Sequence, residues 1–166
     1  MATGIRSNGF TEYPRNPANS VGKQERSVRY EKTIATGAGT NTLHILSGPH
    51  TFDMKINAIL GVTPALTSAN DNDIGFWKKE ADGSFTELDA DILVDGIDLS
   101  SAGVYRDLLA ANASLDRDDN IGTLLGKGSD QEPAGGVYVG LLVKVASTAA
   151  SEVLRLETRI EEATTK

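Results

Sequence analysis

Residues 137–145 read VYVGLLVKV, and residues 153–160 read VLRLETRI. In the first stretch Val137, Val139, Leu141, Val143 and Val145 recur at every second position. A period of two places all five on one face of an extended strand. Leu142, on the opposite face, marks partial burial from the other side. In the second stretch Leu154, Leu156, Thr158 and Ile160 alternate with Arg155, Glu157, Arg159 and Glu161. Glu, Leu and Arg favour helices by intrinsic propensity, but a strict two-residue alternation cannot line one face of a helix. Both stretches therefore read as strands, joined as a hairpin across Ser147–Glu152. Val139, Leu141, Val143, Leu154 and Leu156 are expected in the core.

The same period extends towards the N-terminus. Val28, Tyr30, Lys32 and Ile34 share a face, before a turn at Gly37-Ala38-Gly39. Thr42–Ser47 and Thr51–Leu60 follow, the latter with Phe52, Met54, Ile56 and Ala58 on one side. Gly48-Pro49 separates them, and Gly61 and Pro64 end the second. Ile74–Lys79 and Phe85–Leu88 flank Ala81-Asp82-Gly83-Ser84, whose Asp-Gly pair supplies the positive φ angles of a tight hairpin. Asp91–Val94 and Ile97–Leu99 read as short strands about a turn at Asp95-Gly96. Ser100–Ala113 predicts a helix, with Ser100 or Ser101 as cap and Val104, Leu108 and Ala111 at helical spacing. Ile121–Leu125 reads as a short strand and Gly126–Gly136 as a loop. Many short strands with one helical insertion predict an all-β chain, an antiparallel β-sandwich or jelly roll. A chain of 166 residues fits one such domain, assigned here to residues 28–166.

Residues 1–27 differ in texture and charge. Gly4, Gly9, Pro14, Pro17 and Gly22 stand among polar residues with no apolar period. Residues 1–32 carry a net charge of +3 and the remainder −10, within a total of −7. Such a polar stretch buries too little apolar surface to offset its ordering entropy. We read residues 1–27 as an extended basic N-terminal arm on an acidic β body. It is predicted to contact another polypeptide, with Arg6, Arg15, Lys23, Arg26 and Arg29 as the electrostatic contacts. The alternative is an arm folded back on its own sandwich.

Composition excludes several functions. With no cysteine there is no disulfide, thiolate metal site or cysteine nucleophile. The first ten residues, MATGIRSNGF, lack the apolar centre of a secretory signal. The longest apolar run, Val137–Val143, is far below the ~20 residues of a membrane helix, so a soluble chain with no membrane partner is expected. A pI near 4.8 makes the body repel phosphate, which argues against nucleic acid as a partner.

The motifs that carry chemistry all fall short. Gly122–Gly128, GTLLGKG, has three residues between its first two glycines where a phosphate loop has four, and Gly128 replaces the Mg²⁺-binding hydroxyl. Gly37-Ala38-Gly39 lacks the third glycine of a dinucleotide fingerprint. Asp116–Asn120 begins like a Ca²⁺ loop, but Ile121 stands at the glycine position and Lys127 at the bidentate glutamate. Asp71-Asn72-Asp73 and Asp89–Asp91 are shorter still. His44 and His50 have no zinc-ligand spacing; His44 is expected on the polar side of its strand and His50 in a turn. Phe76 and Trp77 could form a carbohydrate platform, but so few aromatics are needed in the core. No nucleophile elbow is present. No catalytic residue, cofactor or metal ligand is assigned, and the chain is not expected to be an enzyme.

In layout the chain resembles tailed-bacteriophage virion structural proteins of the head-decoration, or capsid cement, kind. The resemblance rests on the Gly/Asn/Pro-rich basic arm, the acidic β body, the absence of cysteine and the stretch Asn70–Leu99, NDNDIGFWKKEADGSFTELDADILVDGIDL. It implies a protein made in the host cytoplasm that joins the virion capsid surface. Its partners would be the major capsid protein and itself, as a homo-oligomer, often a trimer. The alternative is a β-sandwich receptor- or glycan-binding module of a phage head or tail fibre.

Overall fold

The computed structural model describes residues 10–13, 24–34, 41–66, 71–101, 105–145 and 152–162. They form nine strands: β1 (Phe10–Tyr13), β2 (Gln24–Ile34), β3 (Thr42–His50), β4 (Lys55–Val62), β5 (Asn72–Lys79), β6 (Phe85–Ile97), β7 (Tyr105–Asp107), β8 (Val137–Val143) and β9 (Glu152–Glu162). One sheet has the order β1-β2-β9-β4-β7 and the other β3-β8-β5-β6. Every pairing is antiparallel. This is the all-β sandwich that the alternation predicts.

The core lies between the sheets. From the five-stranded sheet Val28, Tyr30, Ile56, Ile59, Leu154, Leu156 and Ile160 are buried. From the four-stranded sheet Leu46, Ile74, Phe76, Val94, Val139, Leu141 and Val143 are buried. Removal of each large aliphatic side chain from water stabilises the fold by ~1.5–3 kcal/mol. The tail Leu154–Ile160 is a strand as expected, and so is Val137–Val143.

Their connection differs from expectation. β8 and β9 do not form a hairpin. β8 pairs with β3 and β5 in one sheet, and β9 with β2 and β4 in the other. Apolar alternation fixes which face of a strand is inward; it does not say which sheet the strand joins. Both strands are apolar inward, so both can serve opposite sides of one core.

Four local assignments also change. The expected helix over Ser100–Ala113 is replaced, among its described residues, by β7 and a single 3₁₀ turn, Leu108–Ala111. Asp107 caps that turn by accepting from the Leu109 amide at 3.1 Å, and Leu108 and Leu109 are both buried. The short helical insertion lies instead at α1 (Ile121–Leu124), where a strand was expected. Asn120 Oδ1 accepts from the Thr123 amide at 2.7 Å, and Gly126 follows at φ +63. A polar cap before the turn and a glycine after it are helix punctuation. Thr51–Met54 is a turn, and β4 begins at Lys55. A bulge between Ile56 and Ala58 then moves the inward position from Ala58 to Ile59. Finally, Asp95-Gly96 does not separate two strands. Gly96, at φ +70, sits inside the long β6, where register shifts against β5 absorb extra residues. One such shift presses the backbone of Asp89 and Ala90 against Gly75. A Cβ there would lie 2.1 Å from the Asp89 carbonyl oxygen, so only glycine fits.

Candidate partner-binding face

The outer face of the five-stranded sheet follows from the same alternation that builds the core. With Val28, Tyr30, Leu154 and Leu156 inward, Arg29, Glu31, Arg155 and Glu157 must point outward. The register aligns them in rows. Glu31 stands opposite Arg155, which stands opposite Val62, which stands opposite Tyr105. The next row runs Arg29, Glu157, Leu60, Asp107. Within the rows Arg155 Nε lies 3.3 Å from Glu31 Oε2, and Arg29 Nε lies 3.5 Å from Glu157 Oε2. Arg159 Nε donates to Glu157 Oε1 at 3.1 Å, and Ser27 Oγ donates to the same oxygen at 3.1 Å. These donors hold the Glu157 carboxyl below its ordinary range although burial pushes the other way.

Beside this ladder lies an apolar patch. Val62 and Tyr105 are 37% and 66% exposed, and they are the exposed large hydrophobic residues among those described. With half-buried Leu60 they border a depression of about 230 Å³, whose other side is Arg29, Glu31 and Arg155. On β2, β9 and β4 the outward cations Arg29, Arg155, Arg159 and Lys55 are matched by Glu25, Glu31, Glu157 and Glu161. These three strands therefore present no net outward charge, on a chain of −7, and Asp107 on β7 is paired with Arg117.

The predicted arm contacts separate on this frame. Arg6, Arg15 and Lys23 lie outside the described residues. β2 begins at Gln24, inside the stretch assigned to the arm, so Arg26 and Arg29 are strand residues. They point to opposite faces. Arg29 belongs to the outer ladder. Arg26 turns to the core edge, 3.3 Å from Glu162 Oε1, with Nη2 3.4 Å from His50 Nδ1 and 3.9 Å from Met54 Sδ. The arm's own Phe10–Tyr13 form β1 on the edge of β2, with Phe10 opposite Tyr30 and Tyr13 opposite Ser27.

Comparison with protein-family models, with characterised proteins and with solved structures finds no match to this chain. Its chemistry is read from its own side chains.

Both histidines depart from expectation: they are buried rather than at a strand's polar side or in a turn. His44 Nδ1 lies 2.8 Å from Tyr30 Oη, and His50 Nε2 lies 2.8 Å from Ser47 Oγ. Burial, with Lys32 nearby, lowers His44 to about 4; burial, with Arg26 nearby, lowers His50 to about 3. Both imidazoles are thus neutral links between β3 and β2 across the sandwich. Phe76 and Trp77 are in the core, which leaves neither as a surface platform. Asp71, Asp73 and Asp95 bring carboxylates within 4.8 Å of one another. Lys144 Nζ already sits among them, 2.9 Å from Asp71 Oδ1 and 2.7 Å from Asp73 Oδ2, and these carboxylates push its ammonium pKa up.

Sequence reasoning found the charged half of the outer face, because Arg155, Glu157, Arg159 and Glu161 alternate visibly with the core positions. It missed Val62, which lay beyond the expected strand end at Gly61, and Tyr105, which lay in the expected helix. The signal for Tyr105 was the alternation of Tyr105 and Asp107 about Arg106, too short to outweigh the helical spacing.

Proposed function

We propose that this protein is a structural component of a bacteriophage virion. It binds the assembled capsid on its surface, engages the major capsid protein and further copies of itself, and uses its N-terminal arm to reach neighbouring subunits. The observation that supports this best is the division of charge between residues 1–32, at +3, and the remaining chain, at −10. Phe10–Tyr13 pair with β2 of their own chain, so this part of the arm follows the alternative of folding back on its own sandwich, and the reach to neighbours is assigned to the arm's basic residues. Arg6, Arg15 and Lys23 favour an acidic neighbour and steer docking.

The chain reads as a binding protein and not as an enzyme. Its buried histidines, and Asp71 and Asp73 of the aspartate cluster, are already tied to Tyr30, Ser47, Arg26 and Lys144 in structural pairs. The test is co-sedimentation of the purified protein with capsids assembled without it. Saturable binding at a fixed ratio to the major capsid protein is expected. No association under those conditions would refute the reading.

A further inference from the structure

We infer that the outer face of the five-stranded sheet is a two-fold interface between copies of this chain. The inference goes beyond the capsid reading and does not depend on it.

The two central rows are self-complementary. One runs Glu31, Arg155, Val62; the next runs Arg29, Glu157, Leu60. Place a two-fold axis in the plane of the interface, across the strands and between these rows. The rotation keeps each strand over its own copy and exchanges the rows. Arg29 then faces Glu31 of the second copy, Arg155 faces Glu157, and Leu60 faces Val62. Each contact occurs twice, as an isologous interface requires. No like charges meet: Leu60 and Val62 meet one another, and Tyr105 faces Asp107, whose carboxylate is already paired with Arg117 of its own chain. Had the charges been arranged in columns of one sign along β2 or β9, the same operation would have opposed like charges.

Three further observations point to a second copy as the occupant. The chain carries −7 overall, so most faces of two copies repel; the outward charges of β2, β9 and β4 on this face balance. Exposed Val62 and Tyr105 lie on this face and border its depression. The sheet here is broad, and aligned packing keeps facing strands within about 30° of each other, so the rows stay opposed near the axis.

Sedimentation equilibrium and thiol cross-linking test this. A species of twice 17.6 kDa is expected, growing with concentration and weakened by salt. Val62→Arg, at an exposed position, should raise the dimer dissociation constant by about tenfold or more, because it sets a charge against Leu60 without a partner. A melting temperature close to that of the unmodified protein would show that the fold survives. The chain has no cysteine, so single cysteines report cleanly. A mixture of Leu60→Cys and Val62→Cys should join through a bis-maleimide spanning about 10 Å, the spacing of stacked sheets. Exposed Thr86→Cys, on the other sheet, should not join. A monomer at every concentration, a trimer such as the resemblance implies, or equal cross-linking at Thr86→Cys would overturn the two-fold face.

Discussion

At the scale of single residues the two histidines set how the fold responds to acid. Each is neutral and buried in the folded chain, and each titrates near 6.5 when unfolded. Folding lowers them to about 4 and about 3. A lowered histidine gives stability that is fully present above about pH 6.5, because neither state then binds the proton. As the pH falls the unfolded chain binds protons first, and stability is lost progressively down through the folded values. Charging His50 would also set it against Arg26, and charging His44 against Lys32, so the loss falls on the contact between β2 and β3. The urea-unfolding free energy should drop by on the order of 5 kcal/mol between about pH 7 and pH 4.5. A double variant His44→Asn, His50→Gln should be less stable at pH 7 but much flatter over that range. Glu157, whose pKa is lowered, loses its stabilising contribution at lower pH. The window from about 4.5 to 6.5 therefore belongs to the histidines. An unchanged slope in the double variant would contradict their assignment as the acid-sensitive links.

At the scale of elements, alternation along β9 gives a sharp contrast between neighbours. Leu154 is fully buried, whereas Arg155 is exposed beside exposed Glu31. Leu154→Ala should cost about 2–5 kcal/mol, through lost transfer energy and the cavity left behind. Arg155→Ala should cost at most ~1 kcal/mol, the range of a surface ion pair. Equal losses, measured by denaturant midpoints, would refute the strand register. Asn120→Ala should cost about 1 kcal/mol through the lost cap of α1. These elements also mark what could be read from the sequence. Val137–Val143 and Leu154–Ile160 were legible because their period is unbroken. The Asp82-Gly83 hairpin was legible because positive φ at Gly83 has a direct residue signature. The bulge in β4 was not, because one inserted residue moves every later side chain to the other face without changing composition. The Asp95-Gly96 pair misled because a glycine at positive φ serves a bulge as well as a turn. The sheet membership of β8 and β9 was hidden because pairing is a long-range property, whereas alternation is local. The outer face was half legible: its charges alternate with the core, but its apolar members belong to short β7 and to the last residue of β4.

At the scale of the whole molecule the arm and the body divide the labour. The body holds the core and most of the negative charge; the arm supplies Arg6, Arg15 and Lys23 and the edge strand β1. The structure sharpens where the arm should be cut. Removing residues 1–27 would also take Arg26 and Ser27, which contact His50 and Glu157. Loss of stability would then be confused with loss of binding. Removing residues 1–23 leaves β2 whole. None of the core residues named for either sheet is lost, so the melting temperature should fall by only a few degrees, the shift expected for about 1 kcal/mol in a domain of this size. On the proposed capsid role, association should weaken strongly, because several arms of an oligomer would engage the shell together and their avidity would disappear at once. Charge reversal at Arg6, Arg15 and Lys23 in the full-length chain should give a milder loss that grows as salt is lowered, since each exposed pair contributes about 0–1 kcal/mol. An arm that serves only its own sandwich gives the opposite pattern: a large drop in melting temperature with capsid binding unchanged. Both quantities can be measured on the same truncated protein. Equal capsid binding by the truncated and full-length forms would rule out the arm as the bridge to neighbouring subunits.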